Sequence, residues 1–217
     1  VTLVTGGRET AIVDTAGLDV VQLPAVQARV GAFTTLLDAD GRPAGPDLVA
    51  ARIAGLVDAA DRTRPDVVLT ELFPFGRRGL ASEFEALLGW AEARARPPTV
   101  LCSVRDILVA PDKPAKVARA HALVADRYRA VLVHGDDAVL PLDASWPVDD
   151  RLRPRLVDTG YVDAEAAPTL RLAHAPTPGS VVLVAGGSSA ASLPLYRAAA
   201  AAAATSPRPW HLLVGRG

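Results

Sequence analysis

Ionisable residues follow several apolar runs of this sequence, where turns after strands would begin. The run 67–70 is followed by Glu71, then by an aromatic-proline-aromatic turn, and then by Arg77 and Arg78. A carboxylate at a strand end can orient a base or hold a hydroxyl, and arginines can bind an anionic group. The segment is therefore a candidate site, although an acid at a helix N-terminus followed by solvated arginines would give the same pattern.

Two further turns carry titratable side chains. The run 99–104 leads into Arg105 and Asp106, which either belong to a site or pair with each other or with a helix end. The run 131–134 ends on His134, which is the best-placed histidine for a site role, with a capping or packing role as the alternative. The other histidines lack the spacing of metal ligands, so no metal site is predicted.

Cys102 lies inside an apolar run and is predicted to be a buried strand residue rather than a nucleophile.

A small-residue turn follows the run 181–185 and precedes a helical pattern. It consists of Gly186, Gly187, Ser188 and Ser189. Small residues let the backbone approach a phosphate, and the free N–H groups at a helix N-terminus favour an anion. The turn therefore predicts a phosphate-binding loop. The earlier turn at 6–8 lacks the third glycine of the dinucleotide fingerprint, and no Walker-type loop is present, which disfavours the common NAD and ATP enzymes.

An alternation of strands and helices must position these turns. Strand-like runs at 1–5, 67–70, 99–104, 131–134, 181–185 and 211–214, with a weaker one at 19–23, alternate with helical patterns at 46–62, 82–95, 113–128 and 194–204. The alternation predicts an α/β fold with βαβ crossovers and an open parallel sheet. Continuous apolar runs are typical of strands covered on both faces. Ligands of such sheets bind outside the carboxyl ends of the strands, so the turns above are expected at one edge.

The composition limits the classes of function. Half of the 217 residues are hydrophobic, and 23 basic residues face 24 acidic ones. The balanced charge and the lack of a basic run disfavour binding to nucleic acid. One cysteine, no signal peptide and no apolar run long enough for a membrane span predict a cytoplasmic protein. Peripheral membrane contact stays open.

Four segments of the sequence resemble a group of predicted bacterial glycosyltransferases. The group is related to the MurG-like family (glycosyltransferase family 28) and has the GT-B fold of two Rossmann-like domains. The resemblance is carried by segments 65–78, 102–108, 133–136 and 159–162. It implies an acceptor-type Rossmann-like domain at 1–160, a linker at 161–179, and at 180–217 the start of a domain that binds a nucleotide-sugar.

The resemblance implies an inverting, metal-independent transfer of a sugar from a nucleotide-sugar, UDP-linked by expectation, to an acceptor hydroxyl. No other cofactor is implied. Glu71 is similar to the acid that supports the catalytic base in related enzymes, and Asp106 is its companion as a catalytic candidate. Gly186, Gly187, Ser188 and Ser189 would bind the donor diphosphate. The acceptor, of unknown identity, would meet Arg77, Arg78, Arg105 and His134.

The resemblance also predicts that the sequence is a fragment. Related proteins have a strand and a glycine-rich, histidine-containing loop ahead of the position of Val1, and further donor domain beyond Gly217. The base usually comes from that loop, so the 217 residues are expected to be inactive alone. Two alternatives remain at this point: a nucleotide-sugar 2-epimerase of the same fold, and a non-catalytic module that binds a phosphate or a nucleotide-sugar.

Overall fold

A computed structural model describes residues 1–8, 15–29, 32–162, 179–186 and 192–214. The chain divides into two compact units, Val1–Val162 and Asp163–Gly217. The strands of the first unit are β1 (Thr2–Thr5), β2 (Asp19–Gln22), β3 (Gln27–Arg29), β4 (Ala32–Leu37), β5 (Val67–Glu71), β6 (Thr99–Arg105), β7 (Ala130–His134) and β8 (Leu156–Asp158). Its helices are α1 (Pro46–Thr63), α2 (Ala81–Glu92) and α3 (Pro114–Arg127). The second unit contains β9 (Val182–Ala185), α4 (Leu193–Thr205) and β10 (Trp210–Leu213).

The predicted α/β class and the parallel sheet are confirmed. Strands β5, β6, β7 and β8 form a four-stranded sheet in that order, and every pairing in it is parallel. Strands β1 and β2 form a separate parallel pair, as do β9 and β10 in the second unit. The arrangement is compatible with a Rossmann-like fold.

Helix boundaries follow local chemistry. Helix α1 begins with Pro46, whose missing N–H is not needed in a first turn, and Asp47 complements the positive end of the helix. It ends at Arg64, which adopts the left-handed conformation (φ 45°) and donates its N–H to the carbonyl of Ala60. Helix α3 likewise begins with a proline, Pro114.

The core lies on one face of the four-stranded sheet. Alternate strand residues are buried there, and they form one hydrophobic cluster with residues of all three helices of the first unit. The cluster includes Val68, Val100, Cys102, Val104, Val131 and Val133 from the strands, and Leu56, Leu88 and Val124 from the helices. This alternation fixes which strand residues point towards the helices and which point away.

Among the described residues of the first unit, no helix packs on the opposite face of this sheet, whose side chains are partly or largely exposed. It carries the outward-pointing residues Val67, Leu69, Leu101, Leu132 and Val157, and it is called the open face below. Leu69 is 56% exposed and Val67 is 52% exposed. The expectation that the strands are covered on both faces is therefore wrong for this sheet. Away from the carboxyl ends of the strands, the outward-pointing residues are as apolar as the inward-pointing ones, so a continuous apolar run fits either arrangement.

Three strands and one buried ion pair lie outside the predicted pattern. The antiparallel pair β3–β4 and the short strand β8 have no apolar run that marks them. Arg52 of α1 and Glu83 of α2 are both buried and form a bidentate ion pair with two N···O distances of 2.8 Å. Arg52 also donates to the carbonyls of Gly6 and Pro24, so it ties two helices to the loops after β1 and β2. Within the described residues, no helix is long and apolar enough to cross a membrane.

Candidate functional site

Polar side chains gather at the carboxyl ends of β5, β6 and β7, on the open face. Glu71 is the register partner of Ser103, and Arg105 is the register partner of His134. Side chains two residues apart on a strand share a face, so these residues share the face of Leu69, Leu101 and Leu132. The open face is thus apolar along most of its length and polar at the edge where parallel sheets bind ligands.

His134 is held between two hydroxyl groups. Its Nε2 lies 2.7 Å from Oγ of Ser103, and its Nδ1 lies 2.7 Å from Oγ1 of Thr159. Thr159 follows β8 directly, and its hydroxyl lies 3.1 Å from the carbonyl oxygen of Val133 and 3.0 Å from that of Gly160. Hydrogen bonds therefore link the ends of three neighbouring strands.

The proton count at Thr159 fixes the direction of these bonds. A threonine hydroxyl has one proton, and its neighbours Val133 and Gly160 present carbonyl oxygens, which only accept. With the hydroxyl proton directed to one of these carbonyls, Nδ1 of His134 carries a proton and donates to Oγ1. In the neutral imidazole, Nε2 is then an acceptor, so the Ser103 hydroxyl donates to it.

Glu71 is paired with Arg77 at the same edge. Arg77 donates from Nε to Oε2 of Glu71 at 2.8 Å, and its Nη2 contacts the same oxygen. Both side chains are half exposed or more, so the pair is accessible to a ligand and contributes little to stability. The structure thus brings together two of the residues that the sequence singled out. Arg78 is exposed at the start of the next 3₁₀ turn.

The turn after Glu71 is fixed by its aromatic residues. Leu72 and Arg77 both have positive φ (64° and 55°), a conformation that non-glycine residues seldom adopt. Phe73 and Phe75 are almost fully buried, with Phe73 stacked on Phe84 at a centroid distance of 4.7 Å. Their burial offsets the cost of the unusual backbone and holds Arg77 close to Glu71.

Arg105 and Asp106 shape the loop after β6. Arg105 donates from Nε to the carbonyl of Ile107 at 2.8 Å, and Asp106 Oδ1 accepts the backbone N–H of Ile107 at 2.9 Å. Among the ion pairs of the described residues, none joins Arg105 to Asp106, which was one interpretation of the sequence. A Cβ added at Gly135 would lie 2.5 Å from Cβ of Asp106, so the loops after β6 and β7 touch, and only glycine fits between them.

The predicted phosphate-binding turn is described only at its first residue. Gly186 donates its N–H to the Tyr196 hydroxyl at 2.9 Å, and its carbonyl accepts a bond from the Ser192 hydroxyl. A Cβ at Gly186 would lie 2.9 Å from the Leu195 side chain, so the strand end packs closely against the first turn of α4. Gly187, Ser188 and Ser189 lie outside the described residues.

The layer beneath the site consists of buried side chains. Cys102 is fully buried, as predicted, and burial raises the pKa of its thiol to about 12. Burial also raises the pKa of Tyr128, whose hydroxyl lies 3.2 Å from that of Thr70. Among the described residues, no group of three or more His, Cys, Asp and Glu side chains is arranged to hold a metal ion.

The sequence did not single out Ser103 and Thr159 as site residues. Ser103 carried a signal, because it stands two positions before Arg105 on the same strand and therefore on the same face. Thr159 belongs to a segment that carries the family resemblance, but it follows a strand that the sequence does not predict, so its place beside His134 could not be found. Comparison with models of protein families gave no match, and comparisons with curated proteins and with solved structures gave none either.

Proposed function

We propose that this protein is a glycosyltransferase of the GT-B type that moves a sugar from a nucleotide-sugar to an acceptor hydroxyl. The observation that carries the proposal is the polar carboxyl edge of the open face, where Glu71, Ser103 and His134 stand side by side. Hydroxyl substrates need such a mixture of hydrogen-bond donors and acceptors. The positive charge of Arg77 offsets the negative charge of Glu71 at this edge, which therefore suits a neutral hydroxyl better than a strongly charged acceptor.

Glu71 is the group proposed to bind the reacting hydroxyl. Both contacts from Arg77 go to its Oε2, which leaves Oε1 with no contact from this arginine and able to accept from a ligand. A carboxylate that accepts the hydroxyl proton increases the nucleophilicity of the oxygen as it attacks the anomeric carbon of the donor. Asp106, at the end of the next strand, is proposed as its companion, and Arg78, Arg105 and His134 as acceptor contacts.

The second unit is proposed to bind the donor. Its strand β9 leads through Gly186 to helix α4, and a turn of this kind offers backbone N–H groups and a helix N-terminus to a diphosphate. Gly187, Ser188 and Ser189 would supply the donors, because the N–H of Gly186 is already bound to the Tyr196 hydroxyl. The nucleotide-sugar, UDP-linked in this proposal, acts as a substrate, and the proposed transfer is inverting and independent of metal.

The experiment is a donor screen on the natural full-length protein. The protein is incubated with a panel of UDP-, TDP- and GDP-sugars and a mixture of acceptor alcohols and saccharides in the presence of EDTA. Mass spectrometry then measures nucleoside diphosphate and glycosylated product together. Equal amounts of both from one donor would support the transferase. An epimerised nucleotide-sugar without transfer, or tight donor binding with no turnover of any donor, would contradict it.

A further inference from the structure

We propose that Ser103 is a nucleophile that His134 activates and Thr159 positions, and that together they form a site for carboxylic esters on the open face. All three residues belong to the first unit. The inference therefore goes beyond the proposed sugar transfer and does not depend on it. It requires no nucleotide and no residue of the second unit.

The geometry meets the requirements for an activated serine. A nucleophile needs a base within hydrogen-bond reach, and the base needs a third group that fixes its tautomer and orientation. Ser103 Oγ lies 2.7 Å from Nε2 of His134, and Nδ1 lies 2.7 Å from Thr159, whose own proton is directed to a carbonyl. The bond directions derived above leave Nε2 free to take the serine proton. Thr159 orients the imidazole without a negative charge, so slower catalysis is expected than with a carboxylate in its place.

The surroundings of Ser103 select the substrate class. Ser103 is half-buried on the open face, and the register pair Leu69–Leu101 lies directly below it on the same face. Leu69 is more than half exposed, so this pair offers an apolar surface to an acyl chain. Glu71, the register partner of Ser103, is bound by Arg77, which offsets the negative charge beside the oxyanion that would develop. These features favour esters of short apolar acids over charged esters.

The reaction balances with water as the only co-reactant. Ser103 Oγ bonds to the carbonyl carbon as its proton moves to Nε2 of His134, and the bond to the alcohol oxygen breaks as that oxygen takes the proton from Nε2. Water then attacks the acyl group on Ser103. His134 accepts a proton from this water and returns it to Ser103 Oγ, which releases the carboxylic acid.

The test is covalent labelling of the whole chain with a fluorophosphonate, which bonds to an activated serine with loss of fluoride. Peptide mass spectrometry is expected to locate the adduct on Ser103. Ser103→Ala should abolish it, and His134→Asn should slow labelling by about 100-fold or more, the usual contribution of a general base. Ser82→Ala, at an exposed serine of α2, should leave labelling unchanged. With p-nitrophenyl butyrate, the wild-type chain should release an initial burst of p-nitrophenol.

Thr159 is a positioning residue and is tested by rescue. Thr159→Val should slow labelling, whereas Thr159→Ser, which keeps the hydroxyl, should restore the wild-type rate. Circular dichroism of each variant separates loss of labelling from loss of fold. No adduct on Ser103 of the folded wild-type chain would overturn the proposal, and this result needs no variant. Equal labelling rates for wild type and His134→Asn would also overturn it.

Discussion

At the scale of single residues, two kinds of polar group matter in the first unit. His134 and its hydroxyl partners lie at the accessible edge of the sheet, whereas Arg52 and Glu83 are sealed between helices. The accessible group can exchange partners with a ligand, because water or substrate hydroxyls replace its hydrogen bonds at little cost. The buried pair cannot exchange partners in this way, because each charge would then lie unpaired in the protein interior.

The buried thiol provides a first test at this scale. Burial raises the pKa of Cys102 to about 12, so almost no thiolate exists at pH 8. We expect the folded chain to react with Ellman's reagent far more slowly than the chain unfolded in guanidinium chloride, measured as thionitrobenzoate release. A rapid reaction of the folded chain would mean that Cys102 is accessible and that β6 is not packed as described.

The buried ion pair of Arg52 and Glu83 provides a second test at this scale. Glu83→Gln removes the negative charge that compensates Arg52 and should lower the free energy of unfolding by about 3–5 kcal/mol. Glu85→Gln is the matched control, because Glu85 lies on the same helix in an exposed pair with Arg119, where the expected loss is about 1 kcal/mol or less. Urea denaturation measures both. Equal losses in the two variants would contradict the assigned burial.

At the scale of secondary-structure elements, a second histidine ties helix α3 to the segment that leads to β8. His121 is buried, and its Nδ1 lies 2.9 Å from Oδ2 of Asp149. Asp149 also accepts the backbone N–H groups of Arg151 and Leu152. The N–H of Leu152 and the contact with His121 lower the pKa of the Asp149 carboxyl. This carboxylate therefore stabilises the turn before β8, and with it the position of Thr159.

The lowered pKa predicts a pH dependence. A carboxyl with a depressed pKa in the folded state contributes stability above its unfolded-state pKa, about 3.9, and loses it as the pH falls through the folded-state value. Asp149→Asn should therefore lower the melting temperature at pH 7, and the gap to wild type should close as the medium is acidified below pH 4. Asp150→Asn, at the exposed neighbouring residue, should change neither the melting temperature at pH 7 nor its dependence on pH. A gap that stays constant with pH would contradict this role of Asp149.

The sequence predicted most elements but not how the sheet is covered. Strands β1, β5, β6, β7, β9 and β10 lie within a few residues of their predicted ranges, because their apolar runs are uninterrupted. The helices described here do so as well, and α1, α3 and α4 have a proline in the first turn. Strands β3, β4 and β8 were not predicted, because β3 and β8 are three residues long and two threonines interrupt the apolar residues of β4. The open face was not predicted either, because Leu69 and Val157 are as apolar as buried residues.

The candidate site was also predictable in part from the sequence. Residues directly after marked strands, such as Glu71 and His134, could be found because parallel strands end at one edge. Which side chains meet there depends on register and on long-range contacts. Ser103 and Thr159 stand 31 and 25 residues away from His134, and no local pattern encodes either hydrogen bond.

At the scale of the whole molecule, the open face of the first unit exposes apolar side chains such as Leu69 and Val67. Leu69→Thr keeps a strand-forming residue and removes apolar exposure, so it should reduce the fluorescence of bound 1-anilinonaphthalene-8-sulfonate and light scattering on concentration. The free energy of unfolding should change by about 0.5 kcal/mol or less. Val68→Thr, on the buried face, is the contrasting variant and should be clearly less stable. Unchanged dye binding in Leu69→Thr would mean that this face is covered in solution.

The central claim is that the carboxyl edge of the open face performs the proposed sugar transfer. The most direct test is kcat for nucleoside diphosphate release by the natural full-length protein, measured for wild type, Glu71→Gln and Glu85→Gln. Both glutamates form exposed pairs with an arginine, but only Glu71 lies at the site. We predict that Glu71→Gln lowers kcat by about 100-fold or more, the usual contribution of a general base, and that Glu85→Gln leaves it unchanged. A wild-type kcat in Glu71→Gln, or an equal loss in both variants, would contradict the claim.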